Sequence, residues 1–316
     1  MLIMSKKKIE KSNQKKLNVP EVIDYCKNTM GLTFNLMDEE RAALFLQKNN
    51  YFFRLKQYAE ICDTRTKNGK YTGLDFGHLV ELSTIDMFFR KIIFKLTIDF
   101  EHYLKVKLVN DCQNNPKDDG FNVVQDFLEN NPQTKTSMQT TARLASYNGI
   151  SFEKYVENPA VWNFVEMINF FDFINFYSFY YAHFKIDCSY TKHFDSVRRL
   201  RNASAHNVCM LSSFRPVQNF RWDVDINFEL LQGNIGISPG IITTSMKVPV
   251  LNDFAVLLSL YTKIVSSTKV RQKSLAELVD FFDGRMILHK DYFEGMTEIK
   301  NAYQFARKVL EWYKGK

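Results

Sequence analysis

Glycine and proline are scarce in this chain, which has 12 glycines and 7 prolines among 316 residues. Because both residues interrupt helices, their scarcity favours long helical segments. The five cysteines are widely spaced and form no Cys-x-x-Cys pair or Cys/His cluster. This spacing indicates neither a disulfide framework nor a zinc site, and it favours a reducing cytoplasm. A phosphate-binding glycine loop, a Ser/His/Asp set and a cluster of metal-binding carboxylates are also missing, so we expect neither a metal nor a cofactor.

Uninterrupted hydrophobic runs of membrane-spanning length are missing too. The most apolar stretch, Val161 to Phe184, contains Glu166, Asp172 and several asparagines. Carboxylates are costly inside a bilayer, so we interpret this stretch as a buried helix and expect no membrane contact. The N-terminal MLIMSKKKIEKSNQKK is not typical of a secretory signal, because its apolar part is short and precedes the lysines. It predicts a basic, solvent-exposed arm over residues 1–17.

Hydrophobic residues and positive charge are what the chain has in abundance. The hydrophobic content of 45% allows a sizeable core, and the net charge is +7. A polyanion such as a nucleic acid is therefore a plausible partner, although the same excess of lysine and arginine also serves ordinary solubility.

Apolar residues recur at every third or fourth position over long segments, which predicts a mostly α protein built around a helix bundle. The pattern predicts a first helix over 20–31, a second over 38–62 and a long helix over 76–113. Further helices are predicted over 159–184 and 197–211.

The pattern changes after residue 212. Residues 212–249 predict loops with a short hairpin. Helices are predicted around the stretches DFAVLLSLYTKIVSS, SLAELVDFF and EIKNAYQFARKVLEWYKGK. The expected organisation is a basic arm over 1–17, an N-terminal helical segment over 18–73, a helical core over 74–215, and a loop or hairpin region with C-terminal helices over 216–316.

The stretch RRLRNASAHN, residues 198–207, carries the most specific chemical signal in the chain. On a helix, Arg198, Arg201, Asn202 and His206 share one side. Arginine can bind a phosphate with a planar set of donors, and histidine can transfer protons near neutral pH. These residue types suit metal-free RNA cleavage, in which a ribose 2′-hydroxyl attacks the neighbouring phosphate. The alternative is a solvent-exposed helix end with no chemistry.

The same stretch resembles the R-N-x-x-x-H motif of HEPN domains, a group of α-helical proteins that includes many ribonucleases. Other segments are similar to Abi-like proteins of the AbiD/AbiF type, which act in bacterial abortive infection. FLQKNNYFFRLKQYAE is similar to the family's N-terminal pattern through Asn50, Tyr51, Arg54, Leu55 and Tyr58. IDMFFRKIIFKLTIDFEHYLKVKL is similar to its D-x-x-L-R … I-E-x-x-L-R helix through Asp86, Arg90 and Glu101, with Phe89 and Lys105 as departures. PAVWNFVEMINFFDFINFY is similar to a third family segment through Pro159, Trp162, Glu166 and Phe170.

The resemblance implies a HEPN-type helical bundle and a metal-independent endoribonuclease that arrests growth as a toxin during phage infection. The expected catalytic residues are Arg201, His206 and Asn202, with Arg198 and Arg199 as RNA contacts. Because the chain has one such motif, the resemblance also implies a homodimer with two facing His206 residues. A structured non-coding RNA is an expected partner, as in a toxin–antitoxin pair.

Four further charged residues are expected to support the site. Asp86 and Arg90 are four positions apart on one helix and should pair with each other. Glu101 and Glu166 lie among apolar residues and are expected to pair with Arg90, Arg198 or Arg201.

The leading functional prediction is therefore a cytoplasmic, metal-independent RNA endonuclease that leaves 2′,3′-cyclic phosphate ends. The alternative is a non-catalytic protein that uses the same basic side chains to hold a structured non-coding RNA.

Overall fold

The computed structural model describes residues 16–61, 65–144 and 151–316, and within these ranges the chain is mostly α-helical. Most of the basic arm expected over 1–17 lies outside the described residues. The helices are α1 (Val19–Asp24), α2 (Glu39–Lys48), α3 (Phe52–Gln57), α4 (Phe76–Gln113), α5 (Asn122–Asn130), α6 (Pro132–Leu144), α7 (Val161–Met167), α8 (Phe170–His183), α9 (Phe194–Ala205), α10 (Val224–Gln232), α11 (Pro239–Met246), α12 (Pro249–Ile264), α13 (Thr268–Asp283) and α14 (Thr297–Lys314). Strand pairing in the described residues is limited to isolated bridges, so the predicted fold class is confirmed.

Helix α4 is the central element of the fold. Asp75 caps its first turn by accepting a hydrogen bond from the Gly77 amide at 2.8 Å. Its 38 residues span about 57 Å, and its apolar residues are buried along most of this length. Helices α9, α12 and α13 pack against it. The long helix predicted from the apolar repeat is therefore confirmed.

Two hydrophobic clusters meet along α4. The larger one begins at Ile85 and continues through α7, α8, α9 and the C-terminal helices α12–α14. The smaller one packs the N-terminal segment, including Leu55 and Tyr58, against Leu79 and Leu82 at the start of α4. The first turns of α4 thus connect the N-terminal segment to the rest of the core.

Two predicted helices are each divided in the structure. The helix predicted over 38–62 ends at Lys48, and α3 begins again at Phe52. The aromatic helix predicted over 159–184 is broken at Ile168, whose backbone is extended. Asn169 then starts α8 by accepting a hydrogen bond from the Asp172 amide at 3.0 Å. The apolar run over 159–184 therefore forms two helices, because Asn169 caps the start of the second one.

The hairpin predicted within 212–249 is wrong, because this region contains α10 and α11. Asp223 caps α10 through the Ile226 amide at 2.9 Å. Ser238 caps α11, and Pro239 occupies its first turn. The Ser-Pro-Gly sequence therefore starts a helix, a position that proline tolerates because the first amides have no partner within the helix.

Within the described ranges, no single helix is long and apolar enough to cross a membrane, and one sharply bent pair, α11 with α12, has sufficient length and composition.

Candidate active site

The predicted catalytic histidine lies at the C-terminal end of α9. The helix predicted over 197–211 ends at Ala205, and His206 is the exposed residue that follows its last turn. Asn207 has a positive φ of 55°, and the Val208 amide donates to the Ala203 carbonyl at 2.9 Å. This left-handed residue with its backward hydrogen bond is a Schellman end, which stops the helix and turns the chain away.

Asn207 has a measurable role in this turn. Residues with a Cβ are disfavoured at positive φ, and asparagine tolerates it better than most. We expect Asn207→Ala to lower the free energy of unfolding by about 1 kcal/mol, whereas Asn207→Gly should change it by less than about 0.5 kcal/mol. Urea unfolding of both variants measures the difference. Equal stability of the alanine and glycine variants would contradict this account of the turn.

Arg201 is a half-buried arginine whose charge has no acidic partner among the described residues. Its Nη1 atom is 3.4 Å from the Asn202 Oδ1 atom, and its guanidinium lies 6.0 Å from the centre of the Phe170 ring. Its Nε atom is buried without a hydrogen-bond acceptor. Buried donors in proteins usually have an acceptor, and an anion is one group that supplies acceptors to arginine.

The two arginines at the start of the motif differ in their partners. Arg198 pairs with Asp195 at 2.9 Å and lies over the exposed ring of Phe171. Arg199 instead donates two hydrogen bonds to Asp253 on α12, at 2.7 and 2.8 Å. These hydrogen bonds raise the pKa of Arg199. The Asp253 pair connects α9 to α12, and the contact of Arg199 with RNA stays a prediction.

A buried cluster of Arg54, Tyr58, Asp86 and Arg90 fixes the chain that follows His206. We call it the Asp86 cluster. The Asp86 side chain is fully buried and forms an ion pair with Arg90, as predicted. Tyr58 donates to its Oδ2 atom at 2.5 Å, and Arg54 lies 4.0 Å from the same oxygen. Burial raises the pKa of Tyr58, which favours the protonated phenol as the donor in this bond.

The Asp86 cluster binds the backbone of the segment that follows α9. The amides of Met210 and Leu211 donate to the Asp86 Oδ1 atom at 3.1 and 3.0 Å. Arg90 donates to the Val208 carbonyl at 3.3 Å, and Arg54 donates to the Asn207 carbonyl. Two guanidinium groups and one carboxylate thus bind most of the segment from 207 to 211. These contacts hold the residues directly after His206, and so they restrict the position of the histidine backbone.

Glu101 and Glu166 do not pair with the arginines that were expected. Both carboxylates instead lie near Lys105, at 3.6 and 3.7 Å. Lys105 is four positions after Glu101 on α4, and this spacing places the two side chains next to each other on the helix surface. One Glu101 oxygen, Oε2, remains buried without a hydrogen-bond donor. The predicted pairing with Arg90, Arg198 or Arg201 is wrong.

A cluster of three side chains elsewhere in the described structure has the spacing of a cation site. Ligand atoms of His193, Asp223 and Asp225 lie within 4.8 Å of one another. Asp223 already contacts His193 and caps α10, while Asp225 pairs with Lys192. We therefore interpret the group as a structural ion-pair network. The sequence did not reveal it, because His193 and Asp223 are far apart in the chain.

The fold and the motif together define a helical protein in which an exposed histidine and a half-buried arginine occupy the end of one helix. Residues 44–212 match the model of the Abi-like protein family, so the chain belongs to this family. Membership associates it with abortive infection, a bacterial defence against phage. The matched range begins in α2 and ends directly after the segment that Asp86 binds. No significant match is found among curated proteins or among solved structures.

Proposed function

We propose that this protein is a metal-independent RNA endonuclease of the HEPN type that acts as a growth-arresting toxin in phage defence. Arg201 binds and neutralises the scissile phosphate, and His206 transfers protons. Asn202 orients the phosphate or His206, and Arg198 and Arg199 make further contacts with the RNA. The observation that carries the proposal is the Arg201 guanidinium, which keeps a buried donor without an acceptor five residues before the exposed His206.

The proposed reaction needs no metal or water. The ribose 2′-oxygen attacks the adjacent phosphorus, and its proton passes to a base. The bond from phosphorus to the 5′-oxygen breaks, and that oxygen takes up a proton. The products are a 2′,3′-cyclic phosphate and a free 5′-hydroxyl. One neutral histidine can accept the first proton, while a protonated one can supply the second.

A reaction with one histidine as the proton acceptor and another as the proton donor favours two copies of the chain, each contributing a His206. Val208 is 50% exposed, and its carbonyl binds Arg90. Phe94 lies one turn beyond Arg90 on α4, and Ile98 lies a further turn away; both are exposed. These exposed apolar side chains suit a contact between two copies, and we propose a homodimer with facing His206 residues. Mass measurement in solution tests it, since a stable monomer that cleaves RNA would contradict this arrangement.

Metal removal tests the reaction directly. Purified protein incubated with RNA is expected to cleave at the same rate with and without excess EDTA. The new 3′ ends should resist polyadenylation until a phosphatase that opens cyclic phosphates is added. The alternative function, holding a structured non-coding RNA with the same arginines, predicts protected RNA and no new ends. Cleavage that stops in EDTA would contradict the proposal.

A further inference from the structure

A cavity lies away from the candidate active site, between α4 and the C-terminal helices. Its volume is about 550 Å³, which is within the range that small-molecule sites occupy. Its floor is formed by buried apolar side chains from four helices, among them Leu82, Ile85, Phe89, Phe254, Phe282 and Ala306. An apolar lining around a cavity of this size favours a ligand with a hydrocarbon body.

The cavity extends along both α14 and α4. Its lining residues on α14 extend from Thr297 to Ala306, which corresponds to about 14 Å along the axis. On α4 the lining residues extend from Leu82 to Phe89, about 10 Å. The length along α14 is sufficient for an extended hydrocarbon chain.

The segment 284–296, which joins α13 to α14, forms one wall and is anchored to α4. Arg285 donates to both oxygens of Glu81 at 2.5 and 2.8 Å. The Phe293 ring lies 5.9 Å from the His78 ring. Two contacts, one near each end of this segment, therefore attach the wall to α4.

The rim of the cavity carries an excess of positive charge. Lys290 and Lys300 line the cavity and are exposed, and neither has an ion-pair partner among the described residues. Glu294 is the exposed acidic side chain that shares the rim with them. Two ammonium groups beside one carboxylate favour an anionic head group at the solvent end of the ligand.

We propose that this cavity binds a linear acyl chain with a terminal carboxylate, the hydrocarbon part lying over Phe89 and Phe254 and the carboxylate beside Lys290 and Lys300. Leu211 also lines the cavity, and its amide is bound by Asp86. The bound chain thus contacts the segment that leads away from the candidate active site. The proposal does not depend on RNA cleavage.

Calorimetry with a series of saturated fatty acids below their micelle concentrations tests the proposal. Octanoate, decanoate and dodecanoate should bind one per chain, with the Kd falling roughly fourfold for each added methylene. Dodecan-1-ol should bind several-fold more weakly than dodecanoate. Absence of binding, or equal affinity for all three chain lengths, would overturn the proposal.

Two variants locate the site. Ala306→Phe fills the cavity and should abolish dodecanoate binding, with folding checked by urea unfolding. The double variant Lys290→Ala/Lys300→Ala alters only exposed side chains and should weaken dodecanoate binding about fivefold without changing dodecanol binding. Lys269→Ala/Lys273→Ala, on the exposed face of α13, removes the same charge elsewhere and should leave both affinities unchanged. If Ala306→Phe and Lys290→Ala/Lys300→Ala both bind dodecanoate with wild-type affinity, the fatty acid binds elsewhere and the proposed site is wrong.

Discussion

Replacing Asp86 with alanine is expected to lower the free energy of unfolding by about 3–5 kcal/mol, the largest stability effect that we predict for this chain. The side chain is 0% exposed and faces Arg90 and Arg54. Without the carboxylate, two guanidinium groups remain buried against each other with no neutralising charge. The amides of Met210 and Leu211 also lose their acceptor, and an unsatisfied buried donor is costly.

Two controls separate the buried charge from other effects of the substitution. Asp195→Ala removes the same side chain from the exposed pair with Arg198 and should cost at most about 1 kcal/mol. Asp86→Asn retains an acceptor for the two amides but loses the negative charge, so its stability should lie between wild type and Asp86→Ala. Urea unfolding of the three variants measures these differences. Equal stability of Asp86→Ala and Asp195→Ala would contradict the role of the Asp86 cluster.

Replacing His206 with alanine is expected to lower the rate of RNA cleavage at least 10²-fold, because the substitution removes the group that transfers the proton. His206 is exposed and follows the last turn of α9, so the free energy of unfolding should change by less than about 0.5 kcal/mol. Loss of activity with retained stability distinguishes a chemical role from a structural one. The measurement is the cleavage rate of a labelled RNA under single-turnover conditions.

A matched histidine serves as the control for this experiment. His183 is also exposed, and it lies at the far end of α8 from the Phe170 ring that contacts Arg201. His183→Ala should retain the wild-type cleavage rate. Arg201→Ala should lose activity, whereas Arg201→Lys should retain part of it, because lysine keeps the charge but not the planar set of donors. Wild-type rates in His206→Ala would exclude this residue from the reaction.

The sequence was sufficient to predict the elements whose signals are local. Helix α4 follows from its apolar repeat, and the Asp86–Arg90 pair follows from the spacing of four residues within it. The family resemblance located the stretch 198–207, and the family match covers it. In each case, neighbours in the sequence are also neighbours on the helix surface.

The sequence was insufficient where a distant contact or a single cap determines the structure. The end of α9 depends on the left-handed Asn207 and on Asp86, which lies more than a hundred residues earlier and binds the following segment. The ion-pair partner of Arg199, Asp253, was not predicted, because it comes from a C-terminal helix outside the family match. Periodicity cannot reveal partners that tertiary packing supplies.

The central claim is that the Arg-Asn-x-x-x-His helix end cleaves RNA, and the most direct measurement is a map of RNA 3′ ends in cells. Wild-type protein and His206→Ala are produced at equal levels, with and without the structured non-coding RNA and with and without phage challenge. We predict new 2′,3′-cyclic phosphate ends with the wild-type protein and none with His206→Ala. If both proteins bind RNA and neither produces new ends under any of these conditions, the helix end holds RNA without cleaving it, and the claim is contradicted.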